Sequence, residues 1–97
     1  MLIDCHTHWG RAWIERDGDN PAAWLAVLDR YGVSHAAVMP EIGLMDAGRI
    51  AADHDFIATA CARSGGRMLP LCTAYLPFRA EALAELERRL RQGFRGI

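Results

Sequence analysis

No apolar run in this 97-residue sequence approaches the roughly 18 residues that a helical membrane span requires. The opening Met1-Leu2-Ile3-Asp4 lacks a basic stretch, and no small-residue cleavage site follows, so neither an export signal nor a membrane anchor is expected. Cysteine is scarce and odd in number. Cys5, Cys61 and Cys72 lie in apolar segments without paired spacing, which argues against a disulfide framework and fits a reducing cytoplasm. An excess of one charge is missing too: eleven Lys and Arg stand against twelve Asp and Glu. Without a block of like sign there is no electrostatic footprint for nucleic acid or for an anionic membrane. A small-molecule partner is expected by default, on one domain with a modest core.

What is present is an alternation of β and α patterns. Residues 1–8 begin with a short apolar run and end polar, as a buried parallel strand does where it opens into a site. Residues 9–19 read as a loop long enough to be functional. Asn20 and Pro21 then signal a helix start; Trp24, Leu25, Leu28 and Tyr31 recur at helical spacing, and Gly32 ends the helix. A second strand over 33–40, a loop over 41–48 and a helix from about 53 to 64 follow, with Phe56, Ile57, Ala60 and Cys61 on one face and Gly65-Gly66 as the stop. A third strand is expected over 67–75, weakened by Pro70. The last helix, over 79–92, is expected to turn Leu83, Leu86 and Leu90 inward and to leave the pairs Glu85–Arg89 and Glu87–Arg91 in water. Residues 94–97 begin a fourth strand. This βαβαβαβ order predicts a parallel sheet with strands in sequential order and right-handed crossovers.

Asp4-Cys5-His6-Thr7-His8 is the constellation that carries chemistry. Strict alternation along a strand puts Asp4, His6 and His8 on one face and Cys5 on the other. Two imidazoles so placed can grip one cation, zinc first, with manganese or another divalent ion as the alternative. Their position at the C-terminal end of the first strand of a βα series is where barrel enzymes build sites. Asp4 either orients a ligand through a hydrogen bond or satisfies buried backbone groups. His35, at a strand start, reads as structural, and His54 as a solvated residue in the first turn of the second helix. Trp9, Arg11 and Trp13 follow the first strand. Trp9 and Arg11 are candidate substrate contacts, the guanidinium as a carboxylate clamp and the indole as a pocket wall. Loop packing and a surface charge are the competing reading, and Tyr75 and Arg79 after the third strand stand alike.

Taken in order, three segments resemble the amidohydrolase-related (amidohydrolase 2) family of metal-dependent hydrolases and decarboxylases. They are the Asp4-Cys5-His6-Thr7-His8 strand, the strand end Ala37-Val38-Met39-Pro40, and the run from Asp55-Phe56-Ile57 to the closing Gly93-Phe94-Arg95-Gly96-Ile97. The resemblance implies a (β/α)8 TIM barrel. It also implies that the His-x-His pair binds a divalent ion together with further histidine and aspartate ligands from later strands, the last aspartate helping to activate water. Asp53-His54-Asp55 departs from the family's usual Asn followed by an acidic residue. Because such a barrel needs about 250 residues, residues 1–97 are expected to be its N-terminal fragment, inactive alone and prone to form homo-oligomers through unpaired strand edges. The expected function of the whole protein is metal-dependent hydrolysis of a small carboxylate-bearing or aromatic compound. Decarboxylation, the chemistry of barrel nucleases and phosphoesterases, or a non-catalytic α/β binding module are the alternatives.

Overall fold

Three parallel strands, each followed along the chain by a helix, make up the computed structural model, which describes residues 1–9, 20–40 and 47–97. Strand β1 (Leu2–His8) leads to α1 (Ala22–Arg30), β2 (Val33–Met39) to α2 (Ala47–Ala62), and β3 (Met68–Pro70) through a 3-10 turn (Leu76–Phe78) to α3 (Arg79–Arg91). The sheet order is β1-β2-β3, parallel throughout. Sequential order is what successive βα units of a barrel produce, whereas a doubly wound sheet must reverse direction. The α/β alternation thus has the arrangement of the opening part of a TIM barrel. Among the described residues no helix is long and apolar enough to cross a membrane.

Local chemistry accounts for both ends of α1. The Asn20 side chain accepts the N–H of Ala22 at 3.1 Å, meeting one of the donors a helix start leaves unpaired. Beyond the other end of α1, Gly32 takes φ +67°, a left-handed conformation that costs glycine little. The core lies between the sheet and the helices. Ala36 and Val38 of β2 meet Leu28, Ile57, Ala60 and Met68 there, with Trp9, Cys72 and Phe94 completing it. Tyr31, expected inward, is exposed.

Four expected boundaries or faces differ. Helix α2 begins at Ala47 instead of near residue 53, so His54 lies mid-helix and is fully buried. Strand β3 spans three residues instead of nine. After Pro70 the main chain still donates from Leu71 to Val38 O at 2.8 Å and from Cys72 to Gly96 O at 2.7 Å. The Thr73 N–H, however, goes to a side chain, His54 Nε2 at 3.0 Å, which takes it out of any ladder. The expected fourth strand is not formed as such; Arg95 N–H to Pro70 O at 2.8 Å, with the Cys72 bond, ties 94–97 beside β3. The fourth difference is the orientation of α3. Leu83 and Leu90 are exposed at 62% and 47%, while Arg89 is 1% exposed. The inward stripe is Ala82, Glu85, Leu86 and Arg89, a helical i, i+3, i+4, i+7 set.

Candidate metal centre

Strand β1 reaches the sheet's C-terminal edge through a bulge. Asp4 pairs with Ala36 and Thr7 with Val38, three steps on β1 against two on β2, so one extra residue is accommodated. Asp4 holds this shape. One carboxylate oxygen accepts the His6 main-chain N–H at 3.0 Å, and the other accepts the Thr7 hydroxyl at 2.8 Å. Strict alternation therefore fails between Asp4 and Thr7: these two share a side, and Asp4 is not aligned with the two imidazoles as the sequence suggested. Its bonds run to backbone and hydroxyl, not to an imidazole ring.

The bulge leaves the two imidazoles converging. His6 Nε2 and His8 Nε2 are 3.0 Å apart, and the rings meet edge to face at 76° with centroids 4.8 Å apart. His8 Nδ1 lies 3.1 Å from Pro40 O. A carbonyl oxygen only accepts, so the His8 proton is on Nδ1 and the Nε2 lone pair faces His6. Two ring nitrogens at this separation need a proton or a cation between them. Two metal–nitrogen bonds of about 2.1 Å at roughly 90 to 110° span about 3.0 to 3.4 Å, so the pair fits adjacent positions around one divalent ion. Among the described residues no third His, Cys, Asp or Glu joins them as a metal group. Cys5 is exposed and free.

The other sequence candidates are not joined to the pair by any hydrogen bond or ring contact among the described residues. Trp9 donates its main-chain N–H to Met39 O at 2.9 Å and is buried in the core, its indole Nε1 without an acceptor among the described residues. Arg11 and Trp13 lie outside the described residues. His35 is half-buried in β2, with Nδ1 unpartnered among the described residues. Tyr75 stacks edge to face on Phe78, and Arg79 is exposed.

A second cluster was not legible in the residue types. His54 Nδ1 donates to Glu85 Oε1 at 2.8 Å while Nε2 accepts from Thr73. The solvated histidine expected at a helix start is thus corrected to a doubly bonded core residue. Arg89 donates to Glu85 at 2.6 Å, to Asp55 at 2.6 Å, to Gln92 at 3.1 Å and to Ala51 O at 2.8 Å. Arg88 adds two bonds to the other Glu85 oxygen. Burial alone would raise Glu85, but the bonds from Arg89, His54 and Arg88 hold it below its ordinary value. Burial, opposed by Glu85, lowers His54 and keeps it neutral. A usable signal was the spacing Ile50, His54, Ile57, Cys61, which puts the histidine on an apolar stripe.

The family model described as Amidohydrolase matches residues 3–97. No curated protein matches the chain.

Proposed function

Because this chain belongs to the amidohydrolase family, we propose that it carries the first two metal ligands, His6 and His8, of a hydrolase acting on a small carboxylate-bearing or aromatic compound. Family membership supports enzymatic chemistry of the hydrolase and decarboxylase type, generally with divalent metals. The observation that carries the reading is the 3.0 Å approach of the two Nε2 atoms at the strand's C-terminal end. Zinc is the first choice for two imidazole nitrogens, and manganese the alternative. A divalent ion bound there supplies a water of near-neutral pKa and polarises a scissile carbonyl.

The chain's own residues prepare that chemistry. Pro40 O fixes the His8 tautomer, so its Nε2 carries a lone pair, and the one proton that must leave as the ion binds is the one held between the two rings. Asp4 fixes the main chain at His6, which sets the angle at which its ring arrives. Further histidine and aspartate donors, the last aspartate helping to activate water, are what the family resemblance implies. Arg11 is the proposed clamp for a substrate carboxylate.

Calorimetric titration of metal-free protein with zinc and with manganese tests the reading, alongside hydrolysis of a panel of aromatic carboxylates and lactones. His6→Ala and His8→Ala should each weaken binding, and Cys5→Ala should not. Equal loss from Cys5→Ala, or full binding by His6→Ala, would overturn it. Carbon dioxide release without hydrolysis would reassign the reaction to decarboxylation.

A further inference from the structure

The chain leaving β3 is held at one point by a group that can lose its grip. Thr73 lies three residues beyond Pro70, so it follows the same C-terminal edge of the parallel sheet at which β1 delivers His6 and His8. Its N–H donates to His54 Nε2 at 3.0 Å. A neutral imidazole has one acceptor nitrogen, and here its proton is on Nδ1, donated to Glu85. An imidazolium has none. We infer that His54 is a positioning residue that latches the β3–α3 connection through the Thr73 main chain and releases it on protonation.

The surroundings make the latch specific. His54 is fully buried in the middle of α2, edge to face with Phe94 at 5.6 Å. The charged groups that act on it are Glu85 and Arg89 on α3 and Asp53 on its own helix; Arg88 bonds to Glu85 and Asp55 to Arg89, and the Cys72 thiol on the connection feels Glu85 and Arg89. Glu85 is already engaged by Arg88 and Arg89, so an imidazolium would gain a carboxylate whose charge is largely shared. Meanwhile it would set a ring N–H against the Thr73 N–H. Donor against donor cannot persist at 3.0 Å, and the main chain is the part with room to move: a small cavity lined by Ile50, Thr73, Phe78, Glu81, Ala82 and Glu85 lies beside it. Burial lowers the pH at which His54 takes its proton, so the latch stays closed near neutrality. The inference goes beyond the proposed metal chemistry and does not depend on it.

Amide exchange followed by NMR reads the latch without any substrate. The His54 ring resonances give its protonation state, and the Leu71 N–H, bonded to Val38 O, is the internal control. On acidification Thr73 protection should fall by roughly tenfold, the loss expected for one hydrogen bond, with the midpoint of the His54 ring, while Leu71 is unchanged. In His54→Gln an amide oxygen accepts the Thr73 N–H but cannot be protonated, so protection should be restored and flat with pH. Glu85→Gln gives an independent reading if that variant is poorly folded: it leaves an acceptor for Nδ1–H but removes the charge favouring imidazolium, so release should move to lower pH. Thr73 protection that ignores the His54 titration would overturn the inference. So would Thr73 and Leu71 losing protection together, since that is general acid unfolding.

Discussion

Replacing Arg89 by methionine keeps the length of an unbranched side chain while deleting a guanidinium that is 1% exposed. The cost can be worked from its partners. Asp55 is 67% exposed at its side chain, so water replaces its lost bond and it contributes little. Glu85 is 14% exposed but keeps Arg88 and His54, so its charge is not orphaned. Ala51 O loses the bond it accepts at 2.8 Å. Removing one member of a buried pair costs about 3 to 5 kcal/mol when the other is stranded; with Glu85 still held, the lower figure of about 3 kcal/mol is expected. Urea unfolding of Arg89→Met, Glu85→Gln and the double variant gives the loss and the coupling. The double variant should lose less than the sum of the singles by more than about 1 kcal/mol, as residues in one network do. A loss below about 1 kcal/mol for Arg89→Met, or additive singles, would refute the reasoning that this cation ties α2 to α3.

Asp4→Ala should leave the His6 N–H and the Thr7 hydroxyl without their acceptor, costing about 1 to 2 kcal/mol in urea unfolding and weakening zinc binding by about 10-fold to 100-fold in titration calorimetry; unchanged affinity would separate the bulge from the metal pair. Stability should fall with acid in two stages. His54 has its folded value below 6.5, so the unfolded chain takes the proton first, and the stability present above 6.5 is lost as pH falls toward the folded value. Glu85, held below 4.5, adds a second loss as pH falls below 4.5; urea midpoints against pH should show both, and His54→Gln should abolish the first. Burial pushes Cys61 to about 12 and Cys72 to about 11, so at pH 8 a thiol reagent should label exposed Cys5 in the folded protein and all three only after denaturation. Rapid labelling of Cys72 in the native state would contradict its burial.

The sequence by itself determined the order of elements, because hydrophobic period and punctuation are local. Asn20-Pro21, Gly32 and Gly65-Gly66 mark ends that the backbone conformation of a few residues decides. The β/α alternation then forces parallel pairing, and sequential order followed. His6 and His8 were legible as a pair because two residues apart on a strand end is itself a local relation. Tertiary structure decided what depends on partners far along the chain. The bulge at Asp4 exists through its register with β2, and it moved Asp4 off the face that alternation assigned. Glu85 and Arg89 have the spacing of a solvated helix pair. They turned inward because His54 and Asp55, about thirty residues earlier, together with Ala51 O, meet their hydrogen-bonding needs. Leu83 and Leu90 went outward with that same rotation of α3. A charge can be buried only where its partners already stand, and no window of neighbouring residues reveals where that is.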